Sequence, residues 1–198
     1  ASVSDDELLQ RYASENRKRT SSLIFGVGLD AGFFSELNNM IFAMLFCSVN
    51  NIRFRLHSSS ANFLTTNGWQ DYFLPFCAET NSSLLDLVDY RYPESRMSRK
   101  RRLLRGIAYA IHSTDFLTSD LFHRIRIFAK QNAQRLHYNS PDRQPFSLDL
   151  HTLAKIVWRF NDETADQMEK QIAELALPDD ASCGHRRLPS PPGRRPCG

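Results

Sequence analysis

An apolar strand, a glycine-spaced turn, a helix and a second strand follow one another within residues 22–75, and this order leaves few folds open. The first strand reads Leu23-Ile24-Phe25-Gly26-Val27, and the second reads Ile52-Arg53-Phe54-Arg55-Leu56. Between them Leu37, Met40, Ile41, Met44, Leu45 and Val49 recur at helical spacing until Asn50-Asn51 stops the helix. A unit of this order is the α/β type. It brings backbone N–H groups and a helix N-terminus together around a phosphate.

The remaining chain is read as helical. Ser4-Asp5-Asp6-Glu7 is a capping box opening a helix that ends near Lys18. Residues 98–113 carry Leu103, Leu104, Ile107 and Ile111 on one side, and residues 119–136 repeat the pattern. Ser147 is expected to cap a helix reaching Phe160, and Asn161 restarts another with acids at its positive end. Residues 1–20 thus form an amino-terminal helix and residues 21–180 a Rossmann-like lobe with a helical region. Residues 181–198, with four prolines, four arginines and no aromatic residue, are expected to be a disordered tail.

The chain's 41% hydrophobic residues suffice for a real core, and its net charge of +3 is too small to argue for nucleic acid. Cys47 and Cys77 read as core thiols, and neither they nor the histidines show ligand spacing, so no metal is expected. No stretch has the roughly 18 apolar residues that a bilayer crossing needs. With a polar, acidic start that does not read as a secretory signal, this predicts a cytoplasmic protein without a transmembrane segment.

Gly26, Gly28 and Gly32 miss the dinucleotide fingerprint because the third glycine arrives late, and the second strand ends in His57-Ser58 rather than an acid for a ribose. The glycines instead bring backbone close to something else, or merely let the strand meet its helix. Glu36, Asn38 and Asn39 follow in the helix start, where side-chain bonds to a ligand compete with ordinary capping. Trp69 is read either as a sugar-stacking ring or as core packing. Arg99, Lys100, Arg101, Arg102 and Arg105 form a basic run suited to phosphates or to a solvated helix face.

Taken together, Gly32-Phe33-Phe34-Ser35-Glu36-Leu37-Asn38-Asn39 and Gly68-Trp69-Gln70-Asp71-Tyr72-Phe73-Leu74-Pro75 resemble the amino-terminal half of the α-1,6-fucosyltransferase family. The resemblance covers residues 22–180, with its specific part confined to about fifty residues. It implies the amino-terminal, acceptor-side lobe of a GT-B glycosyltransferase that transfers fucose from GDP-fucose to a glycan hydroxyl with inversion and without a metal. Sugar nucleotide and glycan acceptor are then the partners. The donor diphosphate would meet Gly32, Phe33, Phe34 and Ser35, supported by Glu36, Asn38 and Asn39. Phe34 stands where the family has glycine, Ser35 where it has cysteine, and the two asparagines where it has histidines.

His185-Arg186-Arg187 echoes the family's donor motif, whose arginines offset charge on the departing diphosphate. Here no apolar strand precedes it and no Asp-Lys follows, which suggests a reading frame shifted near Asp180 or a truncation, and a chain inactive alone. Such a lobe is expected to show an unpaired sheet edge and bare helix faces. The rival readings are a non-catalytic glycan- or nucleotide-binding module and a nucleic-acid protein using the Arg99–Arg105 run, with a dinucleotide oxidoreductase last.

Overall fold

The computed structural model describes residues 4–27, 32–59, 67–88, 97–133 and 149–175. Gly28, the expected 181–198 tail and its His185, Arg186 and Arg187 lie outside the described residues. The architecture is α/β and helix-rich. The elements are α1 (Asp5–Arg17), β1 (Ser21–Gly26), α2 (Phe33–Val49), β2 (Ile52–His57), α3 (Arg99–Ile111), β3 (Asp115–Leu117), α4 (Thr118–Ala133), α5 (Leu150–Val157) and α6 (Asp162–Leu175).

The sheet order is β2-β1-β3, and both pairings are parallel. β1 is therefore central, and four consecutive residues from Ser22 to Phe25 are buried, as parallel strands covered on both faces require. One face packs Leu23, Phe25, Phe54 and Leu56 against Tyr12 of α1, Met40 and Met44 of α2, Leu121 of α4 and Leu153 of α5. On the other face Ile24 and Leu117 meet Ala108 of α3 and the short 3-10 helix Leu85–Val88.

Several local expectations are met by identifiable bonds. Ser4 Oγ accepts from the Glu7 N–H at 3.2 Å. Ser98 Oγ accepts from the Arg101 N–H at 3.3 Å, and Asn161 Oδ1 accepts from the Thr164 N–H at 2.9 Å. Asn50 ends α2, its amide donating to the Phe46 carbonyl at 2.8 Å, and Asn51 follows in the left-handed region at φ 55°. Cys47 is fully buried in the core, where loss of hydration pushes its thiol up to about 12; burial raises the half-buried Cys77 as well.

Four expectations are corrected. The α5 cap is Asp149, whose carboxylate accepts from the Thr152 N–H at 2.8 Å; Ser147 lies outside the described residues. The apolar stripe of α3 does not cover the sheet. Leu103, Ile107 and Ile111 are exposed, because the small Ala108 side lets the helix approach Ile24 and Leu117. Third, a strand, β3, stands where the sequence suggested only a link between helices.

Fourth, the sheet edges are not open. Along β2 the Asn16 side chain imitates a neighbouring strand: its Nδ2 donates to the Phe54 carbonyl at 2.8 Å and its Oδ1 accepts from the Phe54 N–H at 2.7 Å. Arg19 donates to the Ile52 carbonyl at 3.2 Å. Ala78 and Thr80 then pair with both backbone groups of Leu56 at 3.0 and 2.7 Å. On β3, the Asp115 N–H donates to His112 at 2.9 Å and the Leu117 N–H to Asp120 at 2.7 Å. Side chains and local turns thus blunt both edges, while α3 and α6 do keep bare apolar faces, with Leu103, Ile111, Ile172 and Leu175 each more than 60% exposed.

Candidate functional site

The sheet order fixes where a ligand would be met. From β1 the chain passes through α2 to β2 on one side, then returns to place β3 on the other. In open α/β sheets such a reversal opens a crevice beyond the carboxyl ends of the strands, and ligands bind there. Here that end is built by Gly26 of β1 and by Thr118, which follows β3 directly. Thr118 Oγ1 accepts from the Gly26 N–H at 2.7 Å and donates to the Ile24 carbonyl at 3.2 Å. The start of α4 is thereby tied to β1, and α2 opens at the same end of the sheet.

Gly32 is the N-cap of α2. Its φ of −65° and ψ of 148° suit any residue, and glycine brings no side-chain cap of its own. A Cβ placed on Gly32 would find no atom of the described residues within 4 Å. The Gly32 carbonyl receives the Ser35 and Glu36 N–H groups at 2.9 and 3.2 Å. Ser35 and Asn38 are exposed, Asn39 is half-buried, and Glu36 is only 2% exposed and engaged within the protein. The predicted residues therefore divide. Gly32, Phe34, Ser35 and Asn38 face outward at the bend, whereas Glu36 belongs to the interior.

Trp69 is 1% exposed and stacks on Phe73 at 4.4 Å with 20° between the planes. Of its two readings, the structure places the ring in the core and leaves no face for a sugar. The Trp69 backbone N–H donates to Ser58 Oγ at 2.8 Å, and Gly68 before it adopts φ 67°. Among the described residues the exposed aromatics sit elsewhere: Phe116 on β3, and Phe34, Tyr72 and Trp158. Trp158, beyond the reach of any spacing rule, is carried to the α2 start by α5 and by pairing of residues 159–161 with 72–74. There the Leu74 N–H donates to Arg159 at 2.7 Å and the Asn161 N–H to Tyr72 at 3.0 Å.

His57 ends β2 but turns away from the bend. Its Nδ1 lies 3.0 Å from the Thr80 carbonyl and its Nε2 2.7 Å from an Asp86 oxygen. Arg55 joins Thr80 to Asp115, and Ser22 donates to Asp115. These groups knit the three strands together across the second face.

Arg99, Lys100, Arg101 and Arg102 are exposed, and Arg105 lies over the Tyr109 ring at 5.7 Å. A cavity of about 660 Å³ between α1 and residues 75–78, lined by Leu9, Arg17, Arg53 and Phe76, contains none of the Gly32-bend residues. Among the described residues there is no cluster suited to a metal ion, and no helix is long and apolar enough to cross a membrane.

No family model, curated protein or solved structure matches the chain.

Proposed function

We propose that this chain is the acceptor-side lobe of a GT-B glycosyltransferase that uses a sugar nucleotide, GDP-fucose by resemblance, to glycosylate a glycan hydroxyl. One observation carries the reading: α2 opens at Gly32, a cap residue with no side chain of its own and with no described atom crowding it, at the switch-point end of a parallel sheet. Neither the backbone angles nor the packing demands glycine there. A serine or aspartate would cap the helix with its own side-chain oxygen. Glycine carries no such oxygen, and a diphosphate suits the positive end of a helix dipole.

Within this reading Gly32, Phe33, Phe34 and Ser35 approach the diphosphate, and Asn38 offers an amide one turn on. The resemblance places the principal grip on the nucleotide in a second lobe, through arginines that His185-Arg186-Arg187 only echoes. This lobe alone should therefore hold GDP loosely, with a Kd on the order of millimolar, and should release no GDP from GDP-fucose in the presence of chitin or N-glycan oligosaccharides. Calorimetry and a GDP-release assay check both. Measurable transfer, or binding about a thousandfold tighter, would favour a self-sufficient enzyme or binding module instead.

A further inference from the structure

The aromatic rings beside Gly32 form two layers. Phe33, Phe73 and Phe160 make the inner one, Phe33 stacking on Phe73 at 5.8 Å and Phe73 on Phe160 at 5.3 Å. In the outer layer Phe34 is 68% and Trp158 41% exposed, yet their rings lie nearly parallel, 6.0 Å apart with 19° between planes. Trp158 is fixed from beneath by Phe33, Phe73 and Phe160 at 5.7, 5.9 and 5.6 Å. Rings that are both exposed and held in place form a surface prepared before any ligand arrives, which lowers the ordering cost of binding.

We propose that Phe34 and Trp158 form a stacking platform for a pyranose ring of a glycan. A pyranose presents C–H bonds from its ring face and hydroxyls from its rim. The C–H groups carry partial positive charge and are drawn to the negative face of an aromatic ring. The hydroxyls need neutral groups that both donate and accept. Ser35, Asn38 and Tyr72 are exposed, and hydroxyl and amide side chains supply both roles. Asn38 follows Phe34 by four residues, so the two project from one face of α2. A purely apolar partner would leave that rim unmatched. The ligand class rests on the acceptor-lobe reading, and the platform adds where the acceptor lies: directly after the Gly32 bend, beside the donor diphosphate.

Titration of the full chain with chitotetraose and with cellotetraose, followed by tryptophan emission and saturation-transfer NMR, tests this. The chain has two tryptophans and Trp69 is buried, so an emission change reports Trp158. Saturation should pass to sugar ring C–H protons for at least one tetramer. Phe34→Ser, at an exposed position, should weaken that binding about tenfold or more, and Trp158→Ala should abolish the transfer. GDP, titrated separately by phosphorus NMR, should respond equally in the parent chain and in Trp158→Ala. A GDP response without any tetramer response overturns the platform and leaves the donor reading standing. Emission changes with GDP alone make the platform a base-stacking surface, which also overturns it. Tetramer binding unchanged by Phe34→Ser does the same.

Discussion

Gly68→Ala is expected to destabilise the fold by about 2–4 kcal/mol. Gly68 sits at φ 67°, where a side chain is strained, and an added Cβ would lie 2.3 Å from Ser58 Oγ. Ser58 cannot simply swing away, because its hydroxyl accepts the buried backbone N–H of Trp69 at 2.8 Å. Moving it leaves that donor without a partner. Thermal melting should show Tm lowered by roughly 6–12 °C for a chain of this size. The Ser58→Ala, Gly68→Ala double variant should cost less than the sum of the singles, since both act on one contact. A Gly68→Ala variant with an unchanged Tm would show that the turn before Trp69 is wrongly described. This glycine precedes the Trp69-Phe73 stack, so the Gly-Trp pair of the resemblance has a packing cause here.

A loss of similar size is expected from Asn16→Ala. Asn16 is 2% exposed and supplies a donor and an acceptor to the Phe54 carbonyl and N–H. Removing it orphans both groups on a strand whose Phe54 side chain is fully buried, which costs about 2–4 kcal/mol. It also reopens the β2 edge to pairing between chains. Denaturant unfolding should report the loss, Phe54 amide exchange should accelerate, and light scattering should show self-association that the parent chain lacks. Retained stability with a protected Phe54 amide would mean another group closes that edge.

The sequence discloses the parts of the fold that obey local rules. β1, α2 and β2 are legible because Leu23-Ile24-Phe25 is a continuous apolar run and α2 keeps its period through Val49. Ser4 and Asn161 are legible because a cap bonds within its own first turn. β3 escaped because it is three residues long, begins with Asp115, and is defined by pairing with a strand more than ninety residues earlier. Bare helix faces were expected, but which helices would keep them escaped for a related reason. Helical spacing names an apolar stripe, but only packing decides whether Ala108 or that stripe meets the sheet.

At the candidate site the Gly32 bend was legible from glycine spacing and the helix that follows. Trp69 and Trp158 were not separable as rings. Spacing cannot show that Trp69 slides under Phe73 while Trp158, delivered by α5, stays at the surface over Phe33. Glu36 looked like part of a ligand shell because it opens a helix, yet its burial turns it into an interior group. Chemistry-bearing residue types can be read from sequence; which way they face depends on contacts far along the chain.

The central claim is that the Gly32 bend, at the N-terminal end of α2, meets a sugar-nucleotide diphosphate. Amide-resolved proton–nitrogen NMR of the chain titrated with GDP measures this directly. The account predicts that the largest shift changes fall on Gly32, Phe33, Phe34 and Ser35, saturate at millimolar-order GDP, and are absent with guanosine. Unchanged amides at these four residues, or a larger response centred on the Arg99–Arg105 run, would contradict it.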